Sequence, residues 1–338
     1  MGHPAIENLT PFAFDLLFVS DESGRPILAP VAKATYEIRQ GGVIAPAEKQ
    51  MPLNLGGEFA TKNPESSYKY EPETAFFKPA TDVILIGHAV APRRAASSVT
   101  VNLAVGPVAK SVRVFGDRVW QSTFGGTYIS DPEPFETVPL VYERAFGGSD
   151  RTHPDPSHHT FERRNPVGAG FRSKREKIDG VRLPNLEDPR HPIREWSDTP
   201  PPAGFGFISP DWQPRAAWAG TYDDKWTKER LPLLPADFDR RFFNSASPGL
   251  VAPGYLRGGE PVLVENAASE ARLSFDLPGT PPPLCSLELV GRAHRQVEMK
   301  LDTVIVNTEE SLLILIWRSY LALRNGPHDV VSAQLKPE

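Results

Sequence analysis

The chain has 338 residues, 40% of them hydrophobic and 23% charged, with a formal net charge of -5 and one cysteine, Cys285. This composition supports a packed core and excludes a disordered chain. The acidic balance argues against nucleic acid as a main partner, and a lone cysteine excludes an internal disulfide framework or a cysteine-based zinc site.

Met1–Gly24 shows no basic segment followed by an apolar one, and no run approaches the ~18 apolar residues of a membrane span. Gly2 is not followed by the Ser or Thr of a myristoylation motif. A soluble, cytoplasmic protein with no membrane partner is expected. The first third reads as strands: Phe12–Val19, a turn at Asp21–Gly24, then Val31–Arg39. In the last of these, Ala32, Ala34, Tyr36 and Ile38 alternate with Lys33, Thr35, Glu37 and Arg39, which predicts one buried and one solvated face. Gly41-Gly42 turns the chain into Val43–Ala45, and Asp82–Ala91, Ser98–Val105, Val108–Phe115 and Arg118–Thr123 follow as strands. Strands at this spacing, separated by turn signals, suggest a sandwich or barrel.

Trp120–Gly148 (WQSTFGGTYISDPEPFETVPLVYERAFGG) is the densest motif. Its two Phe-Gly-Gly units bracket a proline-broken loop, and so many Gly, Pro and aromatic residues prescribe a rigid backbone path. From about Asp150 to Arg215 the chain is rich in Pro, Gly and charge. Proline is in excess throughout, with 36 residues against an ordinary usage of roughly 5%, so long helices are not expected. The scattered aromatics Phe161, Phe171, Trp196, Phe205, Phe207, Trp212 and Trp218 argue against a flexible linker and for long ordered loops on the β core. The basic stretches Arg163–Arg164 and Arg172–Lys177 read as solvated loop.

Tyr222–Arg230, closed by Pro232, is the one short helix expected. Gly254–Val264 reads as turn then strand, followed by strands at Arg272–Leu277, Ser286–Val290, Val297–Val306 and Leu312–Arg318. The last two form a hairpin whose continuous apolar character implies burial on both faces; a buried helix over Leu312–Leu323 is the competing reading. The fold class is therefore mainly β: antiparallel sandwich or barrel-like sheets, long ordered Pro/Gly-rich loops and few short helices. The chain is taken as a single domain, 1–338, subdividing if at all into a β meander (1–149), an ordered loop region (150–219) and a C-terminal β part (220–338).

Constellations with chemistry are few. His153, Asp155, His158 and His159 offer metal-ligand types, but two prolines stiffen the loop and no supporting ligand pattern accompanies it, so it reads as an exposed polar loop and no metal or other cofactor is expected. His88, within an apolar run, reads as a core or edge residue. Asp223-Asp224 and the pair Asp237 and Asp239 have the residue type for acid–base hydrolysis of a glycan, yet such residues also cap helices and turns. There is no GxSxG nucleophile elbow, and Gly168-Ala169-Gly170 is too short for a dinucleotide fingerprint. The segment 212–243 gathers Trp212, Arg215, Trp218, Tyr222, Trp226, Arg230, Phe238, Arg240, Arg241, Phe242 and Phe243. Trp, Tyr and Arg dominate protein–protein hot spots, although large aromatics also fill cores.

Several long blocks carry a family resemblance: FGGTYISDPEPFETVPLVYERAFGG, NPVGAGF, LPNLEDPRHPI, PAGFGFISPDWQPRAAWAGTYDDKW, RLPLLPADFDRRFFNSA, PGYLRGGEPV and LDTVIVNTEESLLILIWR. Spanning roughly residues 12–320, they resemble an uncharacterised-domain family encoded beside type VI secretion spike genes, whose members act as adaptors or chaperones for toxic effectors. The resemblance implies a bacterial cytoplasmic protein that binds an effector, often one linked to a PAAR-repeat spike tip, and helps load it on the spike complex. It carries no catalytic residues. The partner-binding residues expected from the sequence are Trp212, Arg215, Tyr222, Trp226, Arg230, Arg240 and Arg241. A carbohydrate-active hydrolase or carbohydrate-binding β module using the same segment is the alternative. Oligomeric state is left open.

Overall fold

The computed structural model describes residues 4–92, 95–173, 178–291 and 293–337. In chain order its principal strands are β1 (Ala5–Asn8), β2 (Ala13–Ser20), β3 (Pro26–Arg39), β4 (Val43–Pro46), β5 (Asp82–Ile86), β6 (Ser98–Val105), β7 (Val108–Phe115) and β8 (Leu186–Glu187). They continue as β9 (Pro261–Glu265), β10 (Arg272–Asp276), β11 (Leu284–Leu289), β12 (Ala293–Glu298), β13 (Lys300–Asn307), β14 (Leu312–Arg318) and β15 (Val330–Lys336). Two short helices, α1 (Arg215–Trp218) and α2 (Asp224–Glu229), lie between β8 and β9. The protein is mainly β, its sheets are largely antiparallel, and among the described residues none closes into a barrel.

The apolar hairpin β13–β14 forms as the pattern predicts, as strand and not helix, and sits at the centre of a seven-stranded sheet of order β2-β3-β14-β13-β5. Strand β5 joins β13 in parallel; β4 and the short strand Leu321–Ala322 both pair with the long β3. One face of this sheet is apolar: Ala32, Ala34, Leu313, Leu315, Val304, Val306, Val83 and Leu85 are all buried. Burying each such Val or Leu side chain contributes about 1.5–3 kcal/mol. The second sheet, β8-β7-β6-β9-β10, is antiparallel throughout. Its strands alternate, and their inward rows (Val99, Val101, Leu103, Val105, Val112, Val262, Val264) join the same core cluster as the first sheet. That cluster runs from Leu16 to Leu335 and takes in Phe205, Phe207 and Trp212 from the middle of the chain.

The other face of the main sheet differs from the expectation. Alternation in β3 assigns Lys33 and Thr35 to solvent, yet each is only 1% exposed. The cross-strand register explains what they meet. Lys33 lies opposite Ile316, Ile316 opposite Thr303, and Thr303 opposite Asp82, so one row of mixed polarity crosses four strands. Ordered loops from residues 50–78 and 203–252 cover that row and supply its partners. Lys33 Nζ meets Glu73 Oε1 at 2.6 Å. Lys78 Nζ donates to Asp82 Oδ2 at 2.7 Å, and Asn244 and Ser245 add further bonds to the same carboxylate. Arg318 Nε donates to Asp302 Oδ2 at 2.7 Å. A buried charge is tolerated only when paired in this way. The polar residues of this face are therefore attachment points for the loops.

Three further departures have local causes. Asp82–Ala91 is not one strand: it breaks at Gly87, where a Cβ would stand 2.2 Å from Thr308 Oγ1, and His88–Val90 then pairs with Thr137–Pro139 instead. Val297–Val306 is also divided. It passes at the buried Met299 from β12, in a third sheet of order β1-β15-β11-β12, to β13 in the main sheet. The terminal strands β1 and β15, which pair in parallel, carry too short or too mixed a pattern to be read from the sequence.

Candidate functional site

The densest motif resolves into architecture. The first Phe-Gly-Gly forms the tip of the hairpin Trp120–Thr123/Gly126–Ile129 and leaves Phe124 fully exposed. The second packs against NPVGAGF. Phe146-Gly147 runs parallel to Ala169-Gly170, and Asn165 Nδ2 donates to the carbonyls of Tyr142 (2.7 Å) and Phe146 (3.0 Å). Gly147 has φ +151°, and a Cβ there would stand 2.1 Å from the Asn165 carbonyl oxygen, so the two backbones touch where no side chain fits. LPNLEDPRHPI is anchored in the same manner: Glu187 takes a buried ion pair from Arg118 at 2.5 Å, and Asn185 bonds Phe115, Asp117 and Arg144. Part of the expected basic segment, residues 174–177, lies outside the described residues.

The expected partner-binding residues divide. Trp212 and Arg215 are inside the protein, at 3% and 4% exposure, and present nothing to a partner. Trp212 packs edge-on against Tyr142. Arg215 joins Glu71 at 2.6 Å and bonds the carbonyls of Phe242 and Ile208, which ties the loop segment to its neighbours. Helix α2 forms within the predicted span because Asp223 caps it, accepting from Trp226 N at 2.8 Å. Tyr222 is exposed and edge-stacked on the half-buried Trp226, with ring centroids 4.7 Å apart. Trp226 Nε1 is itself engaged by the Leu233 carbonyl. Arg230 is half-buried and bonds the carbonyls of Leu234 and Glu22. Arg241 is exposed, paired with Asp239 at 2.6 Å and placed over the Trp218 ring.

Arg240 is the residue that leads to a site. It pairs with Glu22 at 2.7 Å, and its guanidinium lies 5.2 Å from the Phe77 ring centroid and 5.8 Å from that of Tyr320. Phe77 and Tyr320 form one wall of a cavity of about 280 Å³, which Phe76 and Tyr255 also line. Its charged lining residues are already paired: Lys78 with Asp82, Arg318 with Asp302 and Lys300 with Glu298. Burial opposes the charge on Lys78, but Asp82 and Asp302 outweigh it and hold its pKa above the ordinary lysine value. Aromatic walls over a floor of paired charges suit an inserted apolar or aromatic side chain, with Arg240 at the rim to orient a polar group. Sequence reasoning found Arg240 but missed Glu22, Phe76, Phe77, Tyr255 and Tyr320. These residues come from distant segments, and the Phe76-Phe77 pair was the one local sign.

The acidic residues weighed for hydrolysis are occupied locally. Besides Asp223, Asp237 accepts from Thr221 N (3.0 Å) and Oγ1 (2.8 Å), and Asp239 caps the turn Arg240–Phe243. Hydrogen bonds from Thr221 hold the Asp237 pKa below the ordinary range, and those from Arg241 do so for Asp239. Asp224 is exposed in the first turn of α2. Among the histidines, the ring of His153 accepts from Asp155 N at 3.0 Å, His158 lies 3.5 Å from the Asp155 carboxylate, and His159 donates to the His153 carbonyl. The bonds shape the loop, and no group of metal-holding side chains occurs among the described residues.

A family model described as an uncharacterized protein conserved in bacteria (DUF2169) matches residues 23–318. No curated protein and no solved structure matches the chain. The chain belongs to this bacterial family.

Proposed function

We propose that this member of the family is a non-enzymatic adaptor or chaperone that binds a type VI secretion effector, one linked to a PAAR-repeat protein, and helps load it on the spike complex in the cytoplasm. The observation that carries the reading is the rim of the 280 Å³ cavity, where Arg240 stacks over Phe77 and Tyr320 beside Glu22. Aromatic residues and arginine held rigidly at a surface are the composition of a protein–protein hot spot. The sequence blocks that resemble the adaptor family support it from a second side. Physically, the adaptor would cover a patch of the effector that aggregates when left exposed, and binding would stabilise the effector by mass action.

The test is co-expression with the products of adjacent genes, purification through a tag on this chain, and mass determination of what remains bound. A stable complex with a toxin or a PAAR-bearing protein supports the reading. Recovery of this chain alone, with those proteins soluble and expressed, contradicts it.

A further inference from the structure

A second cavity, of about 380 Å³, is walled by Pro201, Pro202, Ala203, Ile208, Pro214 and Pro248. Such a lining is apolar and stiff, and the volume lies at the small end of ligand pockets, which begin at about 300 Å³. Three other basic side chains border it, and each has an acid beside it. Arg164 is paired with Glu162 at 2.7 Å, and Arg190 and His191 share Asp188 at 2.9 and 3.2 Å.

Lys110 is the exception. It stands on the inward row of β7, between the buried Val108 and Val112, where a hydrophobic residue would be expected. Its ammonium donates to Ser247 Oγ at 2.5 Å and to the Pro248 carbonyl at 2.9 Å. Ser247 Oγ in turn accepts from Tyr142 OH at 2.8 Å, so the serine is held and the amine is fixed in place. An ammonium has three donors; the third finds no partner among the described residues, and no carboxylate pairs with it. Lys33 and Lys78, which are deeply buried where Lys110 is half-buried, each hold a carboxylate, at 2.6 and 2.7 Å. Burial pushes the Lys110 amine down to about 8, with Arg190 adding to the shift and Asp188 opposing it.

We propose that this cavity binds a small monocarboxylate, its apolar body against the prolines and its carboxylate on the free ammonium hydrogen of Lys110. The ligand supplies the acid that both arginines of the pocket already have. A neutral amide of the same shape cannot do so. The site is independent of the adaptor reading and stands or falls separately. The same chemistry can come from a free acid or from the carboxyl end of a peptide.

The test is an NMR titration of the intact protein carrying ¹³Cε-labelled lysine, with N-acetylleucine, N-acetyl-Gly-Gly-Leu and N-acetylleucinamide as probes. The expected result is that either acid, at millimolar concentration, raises the Lys110 midpoint from about 8 by roughly one unit or more, a tenfold preference for the charged amine. Affinity for the acid should fall roughly five- to tenfold between pH 7 and pH 9, because the amine loses its proton across that window. Tighter binding of the tripeptide than of N-acetylleucine identifies a chain end as ligand; the reverse order identifies a free acid. Equal binding of the amide, or no saturable shift from any probe, overturns the proposal. Lys110→Met should abolish acid binding; a folded Lys110→Met protein that binds as the parent does overturns it too.

Discussion

Replacing Lys33 with Met tests whether the mixed face of the main sheet is buried beneath the loops. Lys33 Nζ lies 2.6 Å from Glu73 Oε1, with the two side chains 1% and 7% exposed. Removing the cation strands the Glu73 carboxylate with Asn54 N as its remaining donor. Breaking a buried pair in this way costs about 3–5 kcal/mol, because a buried charge is left uncompensated. Adding Glu73→Leu removes that charge. The double variant then loses only the partners of the Pro52 carbonyl and Asn54 N, at about 1–3 kcal/mol each. It should therefore cost less than the sum of the singles by roughly 3 kcal/mol. Urea unfolding followed by circular dichroism, with m compared across the four proteins, measures the cycle. A Lys33→Met cost below about 0.5 kcal/mol, the surface range, or strict additivity of the singles, would refute the buried pair.

Gly147→Ala should destabilise by about 1–3 kcal/mol from backbone strain and a further 1–3 from the clash with Asn165, whereas Gly126→Ala, at φ +133° with nothing within 4 Å, bears only the strain; thermal unfolding compares them. Burial works against the charge on Asp21, but hydrogen bonds from Ser23 and Arg25 outweigh it and lower its pKa to about 2, and bonds from Ser173 and Thr152 act likewise on Asp150. Both carboxyls titrate lower folded than unfolded, so their contribution is full above about pH 4 and fades as pH falls toward 2; Asp21→Asn should flatten part of that loss in an acid titration. Lys110 has the opposite sense. Its amine is lowered to about 8, so between pH 8 and about 10 the unfolded chain binds more protons, and stability from this group rises with pH; Lys110→Met should remove the rise.

Strands with a strict period were legible: Ser98–Val105 and Val108–Phe115 match β6 and β7, and the apolar hairpin is central. What period alone cannot say is which material covers a face. Lys33 and Thr35 look like solvated residues because nothing nearby in the chain reveals that Glu73 and residues 50–51 close over them. Lys110 shows the reverse case. A lysine on an otherwise inward valine row is a sign, visible in the sequence, of an unusual site. In the aromatic–arginine segment, composition does not separate Trp212 and Arg215, which are buried, from Arg240, which is one-third exposed. That distinction depends on Phe77 and Tyr320, brought to Arg240 by the fold.

The measurement closest to the central claim is the dissociation constant of the effector complex for Arg240→Glu against the parent. Arg240 is one-third exposed, so the variant should fold, with near-parental unfolding as the control. Hot-spot truncations cost about 2 kcal/mol or more, so binding should weaken by at least thirtyfold or so. A folded Arg240→Glu protein that binds the effector as tightly as the parent would contradict the assignment of this surface.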